Sequence, residues 1–251
     1  MKTRLKICAL VLSAGLLCFE CNEKKKNVTT ETYEYQVKRA PERPEVNADW
    51  DKEIWRNTKS IRLNNYMGDR PDHFPETHAK VRYEDDFIHV TFRVEDQYVK
   101  AVATEVNGRV YQDSCVEFFF TPGEDVEKGY FNLEMNCKGV FLFGYHLNNN
   151  ETNGKVAEED HKKIRIAHSL EEDVEQELVG PQIWVVEYSI PIEILSNYME
   201  VDQPKSGVSW RANFYKCADK TSHPHWLTWA PVDFPTPKFH LPEFFGKITF
   251  E

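Results

Sequence analysis

Residues 111–120 read YQDSCVEFFF. Val116, Phe118 and Phe120 alternate onto one side, the period-two pattern of a strand with one face in a core. Asp113 and Glu117 interrupt that strand, and Cys115 shares the face of Glu117. The segment 130–137, YFNLEMNC, places Phe131, Leu133 and Met135 on one face, and TPGEDVEKG joins the two as a turn. Matching the apolar faces fixes the register of a hairpin. Val116 lies opposite Met135, Phe118 opposite Leu133 and Phe120 opposite Phe131. On the other face Glu117 lies opposite Glu134 and Cys115 opposite Asn136. Like charges directly across a ladder destabilise it by a few tenths of a kcal/mol to about 1 kcal/mol. A solvated face whose acids find a Lys or Arg is one reading of that pair; a polar floor that binds a ligand is the other.

The remaining chain repeats the β pattern. HAKVRYEDDFIHVTFRVED alternates Ala79, Val81 and Tyr83, breaks at Glu84, Asp85 and Asp86, and alternates again through Ile88, Val90, Phe92 and Val94. Further strands are read at 139–147, 162–169, 183–191, 207–219 and 244–250, with one short helix starting at Pro191. The asparagine- and glutamate-rich stretch from Asn148 to His161 reads as a surface excursion. The fold class is therefore all-β, an antiparallel β-sandwich with one short helix.

Length and charge bound the function. The 251 residues are 41% hydrophobic and 13% aromatic, enough for one globular domain. The basic start MKTRLK and the apolar ICALVLSAGLLCF form a signal peptide over residues 1–21, too short to span a bilayer. Cys18 or Cys21 is placed to carry a lipid, which makes the leader a candidate lipoprotein signal, although the residues before each fit a lipobox poorly. Residues 22–44 read as a flexible tether and residues 45–251 as the folded domain. Without the leader, 28 basic residues face 40 acidic ones, a net charge of −12. That balance argues against nucleic acid as a partner, and it leaves a lipid anchor as the only expected link to a membrane.

Cys115, Cys137 and Cys217 are too few and too scattered for a disulfide scaffold or a zinc site. Register puts Cys137 on the core side and Cys115 and Cys217 on the polar side, so a Cys115–Cys217 disulfide is the expected pairing in an exported chain. Beyond the leader, CxxC, HExxH, GxSxG and glycine-rich phosphate loops do not occur.

The segment WRANFYKC sets Trp210, Ala212 and Phe214 against Arg211, Asn213, Tyr215 and Cys217, a second strand with one polar face and an Arg to neutralise the Glu pair. Downstream, TSHPHWLTWAPVDFPTPKFH collects Trp226, Trp229 and three histidines, His223, His225 and His240, in a proline-rich loop. Rings beside planar hydrogen-bonding groups suit a sugar: a pyranose stacks its C–H face on an aromatic ring and offers hydroxyls to Glu, Asn and Arg. A hydrophobic plug over one sandwich end, or a histidine metal site, are the competing uses of that loop.

From about Asn47 to Phe250 the chain resembles carbohydrate-binding module family nine in a stand-alone form. The resemblance is carried by AKVRYEDDFIHVTFRVED, YQDSCVEFFF, WVVEYSIPIEIL, WRANFYK, LTWAPV and KFHLPEFFGKITF, which occur in the family's order. It implies a β-sandwich that binds a mono- or oligosaccharide between two rings without cleaving it. The ligand set it implies is Tyr111 and Trp229 as the rings and Glu117, Arg211 and Asn213 as hydrogen-bonding groups, with Asn136 on the neighbouring strand. Glu134 and a second Trp, Trp226, depart from the family pattern and join the candidate set. No catalytic residue and no cofactor is expected, structural calcium being the one ion the resemblance admits; glycan-degrading enzymes are the partners it suggests. Two rivals differ in class. A glycoside hydrolase would use Glu117 and Glu134 as its carboxyl pair, about 5 Å apart as in retaining enzymes. An adhesion or assembly subunit would have no sugar site and would bury Tyr111 and Trp229 in its core.

Overall fold

The computed structural model describes residues 33–148 and 152–251. The leader, with Cys18 and Cys21, lies outside them. In chain order the elements are β1 (Glu34–Arg39), α1 (Glu53–Arg56), β2 (Ile61–Arg62), β3 (Asn65–Tyr66), β4 (Glu76–Glu84), β5 (Phe87–Val99), β6 (Cys115–Thr121), β7 (Gly129–Asn136), β8 (Phe141–Leu147) and β9 (Thr152–Lys155). They continue with α2 (Glu158–His161), β10 (Arg165–His168), β11 (Leu178–Pro191), α3 (Ile192–Ser196), β12 (Ser209–Cys217), β13 (Trp226–Thr228) and β14 (Gly246–Phe250). Helix α3 is the one expected after Pro191; α1 and α2 are single turns of four residues that the strand pattern hides. Among the described residues no helix is long and apolar enough to cross a membrane.

The hydrogen-bonded order is β10-β11-β5-β4-β1-β14-β12-β6-β7-β8-β9, one continuous ladder folded over on itself. The hinge is β1. Its residues Glu34 to Val37 run parallel to β14, and Lys38 and Arg39 run parallel to β4. The expected tether therefore ends earlier than residue 44: Tyr35 and Val37 alternate into the core while their exposed neighbours keep the segment polar on average. Once folded over, β5 of one layer meets β12 of the other, with Phe92 and Phe214 ring centroids 6.0 Å apart. The hairpin register holds residue for residue, with Val116 opposite Met135, Glu117 opposite Glu134 and Cys115 opposite Asn136.

The layer β12-β6-β7-β8 has two buried faces. Inward it presents Phe118, Phe120, Leu133 and Phe214 to the main core. Outward, Phe119, Tyr130, Leu142 and Tyr215 form a second cluster beneath the 232–245 segment. Tyr215 stacks on Phe239 there at 4.1 Å. Every residue of β6 and β7 is consequently buried.

Two buried polar anchors hold the layers in place. Glu187 on β11 accepts from Trp55 Nε1 at 2.8 Å and from the Ala48 backbone, and pairs with Lys52 at 2.6 Å, which docks the 47–55 segment. Lys216 alternates onto the apolar side of β12 and is wholly buried, its Nζ 2.7 Å from His225 Nε2 and 3.5 Å from Asp96 on β5. His225 Nδ1 donates to the His223 carbonyl at 2.9 Å, so Nε2 is free to accept from the lysine. Asp96 also accepts from His73 at 2.7 Å, and its carboxyl is held below the usual carboxylate range by Lys216 and His73 against the opposing effect of burial.

Two outcomes test this arrangement. Deleting residues 1–44 removes β1 and should abolish the cooperative thermal transition, whereas deleting 1–32 should keep it; near-ultraviolet circular dichroism during melting reads both. Lys216→Met leaves Asp96 buried without its cation, with His73 and the Gln97 and Tyr98 amides as its remaining partners, and should lower unfolding free energy by about 3–5 kcal/mol in urea titrations.

Candidate functional site

Between the outward face of that layer and the 237–240 segment lies a cleft of about 430 Å³. Three rows of the ladder run beneath it, and their Cys217, Glu117, Glu134, Leu142, Phe119, Asn132 and Lys155 line it. Cys217 stands beside Cys115 and Asn136; Tyr215 beside Glu117, Glu134 and Leu142; Asn213 beside Phe119, Asn132, Gly144 and Lys155. Gly144 lacks the side chain that would close the third row, since a Cβ there would come within 2.5 Å of the Asn132 Oδ1. Tyr111, Asp219 and Trp226 also line the cleft, as do Lys238, Phe239 and His240.

Glu117 and Glu134 both face this cleft, and both are almost fully buried. Burial, then the neighbouring Cys217 and Glu134, push the Glu117 carboxyl well above its ordinary range. Glu134 is raised by burial to about 7, moderated by the Asn132 amide and by Lys155. Asn132 Nδ2 donates to Glu134 Oε1 at 2.8 Å, and Asn132 Oδ1 lies 3.1 Å from His146 Nε2. The second oxygen of Glu134 has no hydrogen-bond partner. His146 and His240 are kept neutral by desolvation, lowered to about 4 and about 3. Lys155 is the cation beside Glu134; burial lowers its pKa and the Glu134 charge opposes that shift. At the rim, Trp226 Nε1 donates to Asp219 Oδ1 at 2.8 Å, which fixes the indole while leaving the ring half-buried.

The structure gathers Tyr111, Glu117, Glu134 and Trp226 at one cleft and separates the other four candidates from it. Trp229 is a core ring, 8% exposed, edge-on to Phe214 and Tyr33. It lies flat enough on β14 that a Cβ at Gly246 would sit 2.7 Å from it. Asn213 is saturated by backbone: its Nδ2 donates to the Ala230 carbonyl at 3.0 Å, and its Oδ1 accepts from Ala230 and Phe214. Asn136 is likewise spent on the turn, accepting from Lys138 and Val140 and donating to Ala103 and Asp113. Arg211 pairs with Thr121, four residues along the strand from Tyr215 and Glu117, and donates to the Phe245 and Gly246 carbonyls, so it does not neutralise the Glu pair. Asp113, the first acid of the opening stretch, accepts from the Val102 and Ala103 amides and is structural.

The thiols and histidines also differ from expectation. Cys115 and Cys217 face each other across the ladder as free thiols, not as a disulfide. Cys217 Sγ donates to Glu117 Oε1 at 3.1 Å and approaches the Tyr111 carbonyl at 3.4 Å. His223 and His225 lie beside His73, while His240 is at the cleft, so the three histidines form no common site. Among the described residues one group of potential metal-ligating side chains converges, Cys115, Glu117 and Cys217, with ligand atoms within 4.8 Å. Two thiols and one carboxylate do not match the all-oxygen shell that calcium takes.

Asn132, His146, Lys155 and Asp219 were not among the residues singled out from sequence. Asn132 and Glu134 share the alternation that exposed Glu117, so the first was within reach. Lys155 sits on an edge strand, TNGK, with no apolar alternation to mark it.

Because burial, with a smaller push from Asp219, raises Glu134, its ionisation opposes folding. Below pH 4.5 the carboxyl is protonated in both states; as pH rises from 4.5 through about 7 the unfolded chain loses the proton first. The parent should therefore lose up to about 3 kcal/mol relative to Glu134→Gln across that interval. Urea unfolding of both proteins at pH 4.5, 6 and 8 measures the difference, in which contributions from the histidines cancel.

The comparisons with known proteins agree with this fold. A protein from Bacteroides uniformis, described as a candidate carbohydrate-binding protein, superposes with a TM-score of 0.77 at 28% identity, over 88% of this chain and all of that one. A family 9 carbohydrate-binding module from Caldicellulosiruptor kristjanssonii, solved with cellotriose, shares the fold at a TM-score of 0.54 and 17% identity, over 87% of this chain and 93% of that one. The same module solved with glucose gives the same score and identity, over 87% and 95%. No curated protein sequence matches. Residues 49–250, four-fifths of the chain, match carbohydrate-binding family 9, and the protein belongs to that family.

Proposed function

We propose that the protein binds carbohydrate without cleaving it, and that a sugar ring enters the cleft between Tyr111 and Trp226 with its hydroxyls toward Glu117, Glu134, Lys155 and Asp219. The observation that carries this reading is the unpartnered Glu134 oxygen beside Lys155, beneath two half-buried rings. A buried acceptor without a donor is unfavourable until something supplies one. A sugar hydroxyl donates to the carboxyl and accepts from the ammonium at the same time.

The hydrolase alternative asks for one protonated acid and one ionised nucleophile or base. Burial raises both carboxyls of this pair, which favours two hydrogen-bonding acids over a divided acid and nucleophile. The adhesion alternative is half met, since Trp229 is in the core, but Tyr111 is at the cleft. The leader-like run over residues 1–21 supports an exported setting with a lipid at Cys18 or Cys21, where glycan-degrading enzymes are the natural partners.

Calorimetry against a panel of mono- and oligosaccharides tests the reading. Tyr111→Ala and Trp226→Ala should each weaken binding by about 1–3 kcal/mol, by analogy with stacking of other flat ligands, or roughly ten- to hundredfold. Trp229→Ala should lower the melting temperature and leave affinity nearly unchanged. Release of shorter products by the parent, abolished in Glu117→Gln, would establish the hydrolase instead.

A further inference from the structure

Trp226 and Pro237 line two concavities at once. On one side is the cleft; on the other is an open groove of about 740 Å³ between the 68–72 loop and the 234–237 segment. The floor of the groove is built from prolines, Pro71, Pro224, Pro235 and Pro237, with Phe234 standing 39% exposed among them. Proline has a fixed φ and no backbone N–H, so this floor is preordered and buries no donor when something lies on it. Along the rim Asp69, Arg70 and Asp72 are exposed and make no hydrogen bond or ion pair among the described residues. Lys238, which lines the cleft, has its Nζ 5.5 Å from the Phe234 ring and so reaches between the two.

An exposed ring on an apolar floor, bordered by a guanidinium and carboxylates without partners, repeats the chemistry of the cleft in a shallower form. Stacking on Phe234 would satisfy a C–H face, and Arg70, Asp69 and Asp72 would satisfy a rim of hydroxyls. We infer that this groove is a second sugar subsite continuous with the cleft, so that the ligand is an oligosaccharide with one ring in the cleft and the next passing over Trp226 and Pro237 onto Phe234. The inference rests on the cleft being the first sugar subsite. It adds that affinity depends on chain length and that residues outside the cleft set this dependence.

The test is a calorimetric series of mono-, di- and trisaccharides of glucose, xylose, mannose and galactose, against the parent, Phe234→Ala and Arg70→Ala. Both substitutions are at exposed positions, and thermal melts confirm that the variants are folded. In the sugar series that binds, affinity should rise at least tenfold from the monosaccharide to the trisaccharide. Each variant should cut that gain to threefold or less while leaving monosaccharide affinity unchanged. A monosaccharide that binds as tightly as its trisaccharide, or a length gain that survives both substitutions, overturns the groove and leaves the cleft standing. Absence of binding across the whole panel overturns both.

Discussion

Burial of the β12-β6-β7-β8 layer on both faces governs the rest of the molecule. A sheet with one wet side would leave Glu117 and Glu134 as ordinary solvated acids. The 232–245 segment instead covers the outer face with Phe239, Leu241 and Phe245, so the carboxyls lie at the bottom of a narrow cleft. Desolvation then does what their positions alone would not: it raises both carboxyls and lowers both histidines. The result is a floor rich in hydrogen-bonding groups yet poor in net charge, a good match for a neutral, polyhydroxylated ligand.

Polar groups inside the protein divide into two kinds according to whether their hydrogen bonds are complete. Glu187 has a donor for each oxygen, from Trp55, Ala48 and Lys52, and acts as a fastener. Asn213 and Asn136 are used up by backbone. Glu134 retains a spare acceptor; a few buried groups elsewhere, such as Trp184 and Tyr188, also have an unpartnered atom, and among these atoms the Glu134 oxygen is the one that lines the cleft.

This division explains what the sequence disclosed. Alternation alone recovered both hairpins and the pairing of Glu117 with Glu134, because a one-residue slip would have turned core residues such as Phe118, Phe120 or Phe131 outward. Alternation reports which face a residue occupies and says nothing about what later covers that face. Hence Asn213 and Arg211 were assigned to the right face and the wrong task, their partners being carbonyls from the 230 and 245 regions. Trp226 and Trp229 are three residues apart in sequence, and contacts remote in the chain, with Gly246, Phe214 and Tyr33, place Trp229 in the core. Strand β1 was missed because EYQVKR pairs with strands remote in sequence, and its two buried residues are outnumbered by charged or polar ones. Lys216 was readable in principle, for it continues the series Trp210, Ala212 and Phe214.

The parallel pairing of β1 with β14 sets an order of assembly. Glu34–Val37 find their sheet partners only among Lys247–Phe250, more than two hundred positions later. During synthesis the two strands of each hairpin, β4-β5 and β6-β7, can pair with each other early, but the ladder cannot fold over until the β14 segment has emerged. Contacts of such high sequence separation slow folding and prolong exposure of unpaired edges. Until then Glu34–Val37 of β1 and the Ser209–Ala212 edge of β12 lack their partners, which makes the late arrival of five residues the step at which the chain is open to mispairing or to capture by a chaperone.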